Sequence, residues 1–222
     1  MKSSDDAALH RLRQLDSCAV SDALDALNLE GAISGIKSLT GDHQIAGLAV
    51  TVKLKAGPTP STHEPVHLCA RAIHAAGEGN IIVIEHPGID AGGWGGVLSQ
   101  AATIKGIEGI VLNGASRDID EARALGFPVF ASCSTPKTAR GRLHETATGV
   151  PVTLGGTTVN PGDYVLADGT GVVVVAEHHI ASVLTVAEKI AATETAMVAA
   201  LQRQVDVVEV LGADYENMLS DS

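Results

Sequence analysis

Arg117 and Asp118 stand side by side in "NGASRDIDEARALGFPVF" (113–130), just past the apolar run "GIEGIVLNG" (106–114). Arginine offers a planar fork of N–H donors that matches a carboxylate and a keto oxygen. Aspartate is a hard oxygen donor suited to Mg2+, directly or through water. The same two residues could equally form a surface ion pair that caps a helix. Upstream lies "AGGWGGVLSQAA" (91–102), where four glycines flank the only tryptophan. Glycines let backbone amides approach a ligand, and a helix starting near Val97 turns its unpaired N–H groups back toward the loop. Loop and helix start together make a candidate anion site. No Lys or Ser/Thr stands at the positions a phosphate loop requires, so a carboxylate suits the site better than a polyphosphate. A dinucleotide cradle fits poorly, because the glycines run G-G-x-G-G and "PGIDAG" separates Gly93 from the preceding strand. A tight turn between strand and helix is the plain alternative.

Histidines supply a second set of candidates. His63, His67 and His74 in "THEPVHLCARAIHAAGE" fall at i, i+4 and i+11 of a helix expected from His63 to Gly77, on one face, with Glu78 close by. They could form a metal or acid–base set, or line a partly buried interface. His86 ends the strand before the glycine loop and is a candidate acid–base group there. The three cysteines, Cys18, Cys69 and Cys133, match neither a zinc spacing nor a disulfide framework. They read as reduced structural thiols in a cytoplasmic protein.

The elements that must position these residues follow from the pattern. Residues 6–29 read as two short helices, the second capped by Ser21. Ile45, Leu48, Val50, Val52 and Leu54 give strand alternation. From 62 to 132 the chain alternates helix and strand three times, the grammar of an α/β unit. "NIIVIEH" (80–86) is continuously apolar, as in a strand buried on both faces. Ligands of open α/β sheets gather outside the carboxyl ends of strands, so two successive units would bring the glycine loop close to Arg117–Asp118. Residues 150–176 are strand and turn. A final helix from about His178 to Gln204 carries an apolar seam of Ile180, Leu184, Ala187, Ala191, Val198 and Leu201. Glu194 occupies the missing slot of that seam, either at its edge or delivered across a subunit interface. Residues 1–204 are expected to form a single domain, with 205–222 a C-terminal extension.

The chain has 222 residues, 45% apolar but only 2% aromatic, so its core is aliphatic. The formal net charge is −11, and Lys and Arg cluster only in "RLR" and "KTARGR". A nucleic-acid partner is not expected, whereas a small anionic substrate held by a few arginines is. No apolar run approaches the roughly 18–20 residues of a membrane span, and no signal segment opens the sequence, so neither a membrane nor an export route is expected.

Five stretches, in order over about 15–176, resemble one family: "VSDALDAL", "IAGLAVTVK", "AAGEGNIIVIE", "GGVLSQAATIKGIEGIVLNGASRDIDEARALGFPVFA" and "GGTTVNPGDYVLADGTGVVVV". The family unites the regulator of ribonuclease E activity (RraA) with the 4-hydroxy-4-methyl-2-oxoglutarate/4-carboxy-4-hydroxy-2-oxoadipate aldolases. The resemblance implies an α/β fold, an αββα sandwich similar to the swivelling phosphohistidine domain. It also implies a homotrimer or homohexamer with active sites at subunit clefts. Gly95, Gly96, Val97 and Leu98 match the loop whose amides bind the substrate carboxylate. Arg117 matches the arginine that holds the pyruvyl oxygens, and Asp118 the aspartate on the side of a divalent metal, Mg2+ or Mn2+. The implied chemistry is retro-aldol cleavage or oxaloacetate decarboxylation through a pyruvate enolate, which a metal and an arginine both stabilise. One departure stands out: the aldolases usually carry an Asp where this chain has Gly96. His86 is one candidate replacement, and Glu194 or Glu30 of a neighbouring subunit could supply a further carboxylate. The preferred reading is a metal-dependent lyase on a small 2-oxo acid. A different reaction on the same scaffold and a non-catalytic regulator of a ribonuclease are the alternatives.

Overall fold

The computed structural model of the chain describes residues 2–61 and 66–212. In chain order the first elements are α1 (Lys2–Leu12), α2 (Ser17–Ala26), β1 (Ala32–Ile33), β2 (Lys37–Ser38), β3 (Ile45–Ala56) and α3 (Ala70–Ala75). The middle of the chain forms β4 (Ile81–Glu85), β5 (Gly92–Trp94), α4 (Gly96–Ile104), β6 (Gly109–Ser116), α5 (Ile119–Ala124) and β7 (Val129–Ser134). Then come β8 (Leu143–Thr148), β9 (Val152–Leu154), β10 (Thr157–Val159), β11 (Tyr164–Ala167) and β12 (Val172–Val175). A 3-10 turn, α6 (Ile180–Gln202) and α7 (Val207–Val210) complete it. Among the described residues no helix is long and apolar enough to cross a membrane.

The principal sheet runs β1-β12-β11-β3-β4-β6-β7-β2, with β5 added to β6 and β8 to β3. β3 is its hub. The first residues of β3 pair antiparallel with β11 (Ala46↔Leu166), and the next ones pair parallel with β4 (Val50↔Ile82). From β3 to β7 the central strands are parallel, as the alternation of helices and strands requires. β9 and β10 form a separate hairpin.

Alternation along the strands divides the apolar residues among three cores. Ile82, Ile84, Ile110 and Leu112 face the layer of α3, α4 and α5. Ile81, Val83, Val111 and Phe130 point the other way and meet Val165, Ala167, Val172 and Val174 between two sheet faces. Val173 and Val175, on the remaining face, pack against α1, α2 and α6. The layers are therefore helix, sheet, sheet, helix, which is the expected αββα sandwich. The uninterrupted apolar runs of β4 and β12 follow directly, since both faces of each strand are buried.

Several local expectations are corrected. α2 is capped by Asp16, whose carboxylate accepts the Ala19 N–H at 2.8 Å, so Ser21 lies within the helix. Asp16 has the extended backbone a cap needs, and the Asp168 carboxylate takes the Ser17 N–H and hydroxyl, each at 2.7 Å. The helix expected from His63 begins only at Ala70, after Cys69 adopts a left-handed φ of 64°. His67 precedes that break and His74 follows it, so the two share no helical face; His63 lies outside the described residues. In α6 the seam is buried at Ile180, Leu184 and Ala187, but Val198 and Leu201 are exposed. Of the expected extension 205–222, α7 packs near α6, and residues 213–222 lie outside the described part.

Candidate active site

β5 is the device that builds the site. It joins the carboxyl end of β6 in parallel, pairing Gly92 with Ala115 and Trp94 with Ser116. This sets the glycine loop beside the point where β6 releases Arg117, whose N–H donates to the Trp94 carbonyl at 3.0 Å. Arg117 Nε donates to Asp118 Oδ1 at 3.2 Å, and Asp118 Oδ2 accepts the Gly96 N–H at 3.0 Å. Asp118 holds a left-handed conformation (φ 57°, ψ 39°) as it starts α5. Asp tolerates that region better than most residues, at a cost on the order of 1 kcal/mol. The expected juxtaposition of loop, Arg117 and Asp118 is thus present.

The glycines are seats for the charged side chains. A methyl group at Gly92 would stand 3.0 Å from Arg117 Cγ, and one at Gly95 would stand 2.8 Å from Asp118 Oδ2. One at Gly96 would overlap the Glu121 carboxylate. Glu121 is therefore packed against the glycine loop, a neighbour that the sequence pattern did not single out. The signal was available: Glu121 lies three residues past Asp118, on the same side of the opening turn of α5. Its carboxylate occupies the room that a side chain at position 96 would claim.

Beneath the loop, buried side chains hold it rigid. Trp94 stacks on Phe127 with centroids 6.1 Å apart and donates from Nε1 to Ser99 Oγ at 2.9 Å. Ser99 Oγ in turn donates to the Gly95 carbonyl at 3.2 Å. His86 is buried under Gly93 and Gly114, both of which a side chain would drive into its ring. Its Nδ1 accepts the Gly88 N–H at 3.1 Å, and its Nε2 bonds the Ala91 carbonyl at 2.9 Å. Only a neutral ring protonated on Nε2 satisfies both contacts, and burial pushes its pKa down. His86 is thus a brace for the loop backbone, with no ring nitrogen left to stand in for a carboxylate.

The loop, Arg117 and Asp118 line a hollow of about 140 Å³, completed by His67, Leu68, Thr138 and Ala139. In the first turn of α4, Gly96 N–H is taken by Asp118, while Val97 and Leu98 present N–H groups with no partner recorded among the described residues. The two terminal nitrogens of Arg117 likewise carry no hydrogen bond there. The residues that line the hollow thus include two amides and a guanidinium without described partners, groups whose chemistry suits a carboxylate and an adjacent carbonyl oxygen. Asp118 lines it with a hard oxygen donor, and Glu121 lines the adjoining groove that shares Gly96 and Val97 with it. No group of three or more metal-binding side chains occurs among the described residues, but Mg2+ and Mn2+ keep most of their waters and are commonly held by one or two carboxylates. The donor set fits such an ion.

Other candidates fall elsewhere. The His74 carbonyl is bonded by Lys105 behind α3. Glu194 lies near Asp16 and Asp22, and partial burial with those two charges raises its pKa. Glu30 is exposed beside Gly155 and Gly156. Within one chain neither glutamate lines the hollow.

Comparison with known proteins agrees with this architecture. A family model described as RraA-like, Aldolase/RraA, matches residues 17–174. A Halalkalibacterium halodurans protein provisionally named 4-hydroxy-4-methyl-2-oxoglutarate aldolase is 33% identical over 218 residues, 96% of this chain and 95% of its own. Protein DlpA of Legionella pneumophila is 32% identical over 187 residues, 84% of this chain, which spans only 30% of that longer protein. The crystal structure of an uncharacterized Pseudomonas syringae protein superposes with a TM-score of 0.83 at 28% identity, covering 93% of this chain and 98% of that one. The family match spans most of the chain, including β6 with Arg117, and the solved relative repeats the layers that position it: the chain belongs to the RraA-like (Aldolase/RraA) family.

Proposed function

We propose that the protein is an aldolase-type lyase that breaks a carbon–carbon bond of a small 2-oxo carboxylic acid through a pyruvate-type enolate, with Mg2+ or Mn2+ as cofactor. One observation carries the reading: Arg117, Val97 and Leu98 line one hollow, and among the described residues neither the terminal nitrogens of Arg117 nor the two amides has a hydrogen-bond partner. The amides take the substrate carboxylate, and Arg117 takes the 2-oxo oxygen. In retro-aldol cleavage the C3–C4 bond breaks and the 4-hydroxyl gives up its proton; in oxaloacetate decarboxylation the same bond breaks and CO2 leaves. In both the electron pair moves onto the C2 oxygen, and C3 then takes up a proton. Arg117 lowers the barrier because its charge faces the oxygen on which negative charge grows. Asp118, oriented by Arg117 Nε and Gly96 N–H, would hold the metal together with Glu121. A divalent ion held there would supply Lewis-acid stabilisation of negative charge on the substrate oxygen. The names carried by relatives point to the same chemistry.

The chain also works, in this reading, as a homotrimer or homohexamer. Val97 and Ile104, 84% and 78% exposed, line an open apolar groove with Ala101, Ala124 and Leu125, and that groove begins at the site itself. Incubation with Mg2+ or Mn2+ and oxaloacetate or a 4-hydroxy-2-oxo diacid tests the function by pyruvate release. Metal-dependent release is expected, with Arg117→Ala lowering it by about a hundredfold or more, the scale of a lost charge-stabilising donor. Absence of release with either metal and either substrate would remove the reading.

A further inference from the structure

Retro-aldol cleavage needs a group that takes the 4-hydroxyl proton and a group that returns a proton to C3. Among the described residues, the titratable side chains lining the hollow are Arg117, Asp118 and His67. Arg117 keeps its proton at any working pH. Both carboxylate oxygens of Asp118 are engaged, Oδ1 by Arg117 Nε and Oδ2 by the Gly96 N–H. His67 is differently placed. Its Nδ1 lies 2.9 Å from the Leu68 carbonyl. A carbonyl oxygen only accepts, so Nδ1 carries the proton and the neutral ring keeps its lone pair on Nε2. Nε2 has no hydrogen-bond partner among the described residues, and the residue is exposed. The turn that presents this ring is anchored to the glycine loop. The Ala70 N–H closes it on the His67 carbonyl at 3.1 Å. Cys69, left-handed at φ 64°, gives its N–H to the buried Glu145 carboxylate at 2.6 Å, and its thiol reaches the Gly93 carbonyl at 3.7 Å. The residue that removes His67 from a helical stripe therefore ties its turn to the loop.

We propose that His67 is the acid–base residue of the lyase and carries one proton from the 4-hydroxyl to C3. The inference rests on the reading of this hollow as the 2-oxo acid site. Nε2 takes the proton of the 4-hydroxyl as that oxygen becomes a carbonyl. The C3–C4 bond breaks, and its electron pair moves through C3 onto the C2 oxygen beside Arg117. The C2 carbonyl then re-forms, C3 takes the proton from Nε2, and His67 returns to its neutral form. The exposed ring can exchange its Nε2 proton with solvent between these steps. Decarboxylation of oxaloacetate makes a smaller demand. No proton is removed before its bond breaks, and water can protonate the enolate afterwards. His67 therefore separates the two reactions, whereas Arg117 serves both.

Two measurements with Mg2+ or Mn2+ test this on the wild type, His67→Gln, His67→Ala and Arg117→Ala. Loss of the pyruvate methyl signal in D2O, followed by proton NMR, reads proton transfer at C3. Release of CO2 from oxaloacetate reads bond breaking alone. Methyl exchange should fall by about a hundredfold or more in both His67 variants, the scale of a lost general base, while CO2 release falls much less. Added imidazole should restore exchange in part to His67→Ala, above the rate of imidazole alone. It should not do so in Arg117→Ala, which loses both reactions. The described bond of the His67 ring is to the carbonyl of its own neighbour, so both variants should keep the far-ultraviolet spectrum and Tm of the wild type. Wild-type exchange in both His67 variants, or equal losses in the two reactions, overturns the acid–base role and leaves the lyase reading standing. A wild type that exchanges no methyl protons overturns it as well. If that wild type also releases neither CO2 from oxaloacetate nor pyruvate from a 4-hydroxy-2-oxo diacid, the lyase reading falls with it.

Discussion

Glycines 92, 95 and 96 act through the side chains that lie across them. Arg117, Asp118 and Glu121 each occupy volume that a Cβ at one of these positions would fill. Position 96 makes the point testable, because its backbone is not in the left-handed region and an alanine can adopt it. Gly96→Ala should keep stability within about 1 kcal/mol, helped by alanine's better helix propensity at the start of α4, while pushing the exposed Glu121 carboxylate aside. If Glu121 helps hold the cation, Gly96→Ala and Glu121→Gln should each weaken Mn2+ binding by about tenfold, and the double variant should lose no more than either alone. Additive losses in calorimetry would show that the two positions act separately. His86 carries a second prediction. Its folded pKa is lowered, so the unfolded chain binds a proton that the folded one refuses, and its contribution to stability is present above the ordinary value of 6.5 and lost as pH falls below it. Urea unfolding at pH values on both sides of that point should show the wild type losing stability faster than His86→Gln on acidification; parallel curves would refute the assignment.

Elements decide which of these residues can meet. The spacing of α4 and α5 after buried strands was legible, because parallel α/β units send every strand's carboxyl end to the same edge, and Arg117 does arrive beside the loop. β5 was not legible: three residues, two of them glycine, carry no alternation, yet their pairing with β6 sets the distance between Trp94 and Arg117. β8 was missed because "LHETAT" mixes polar residues on a strand that is only partly buried. The histidine stripe failed for a different reason, since a single left-handed residue at Cys69, bonded by Glu145, cancels a periodicity that assumes an unbroken helix. The cap of α2 was misplaced because Ser21 is a good cap by type while Asp16 is the residue at the actual turn. Asp16→Ala should therefore cost about 1 kcal/mol, and Ser21→Ala should change stability by less than about half of that. Thermal denaturation of the two variants checks the assignment, and equal losses would count against it.

Across the whole molecule, charge and apolar surface pull in opposite directions. A net charge of −11 repels like copies over roughly 8–10 Å at moderate ionic strength, whereas the groove of Val97, Ala101, Ile104, Ala124 and Leu125 gains by being covered. Burying a Val or Ile side chain is worth about 1.5–3 kcal/mol, so a groove repeated at each contact of a closed ring can outweigh that repulsion. Because Gly96 and Val97 belong to the groove and to the hollow alike, a copy seated on one would wall the other. The assembly and the chemistry should then fail together. Ile104 lies at the far end of the groove from the proposed substrate amides and contributes no atom to the hollow. Ile104→Glu places one more negative charge on that face and should convert a trimer or hexamer to monomer in sedimentation, with the far-ultraviolet spectrum unchanged. Raising the salt should strengthen wild-type association by screening the net charge, but should not rescue the variant, whose defect is a buried carboxylate without a partner. Pyruvate release should decline with the oligomer fraction. A wild type that stays monomeric at every salt concentration, or an Ile104→Glu variant that assembles normally, would separate the groove from self-association.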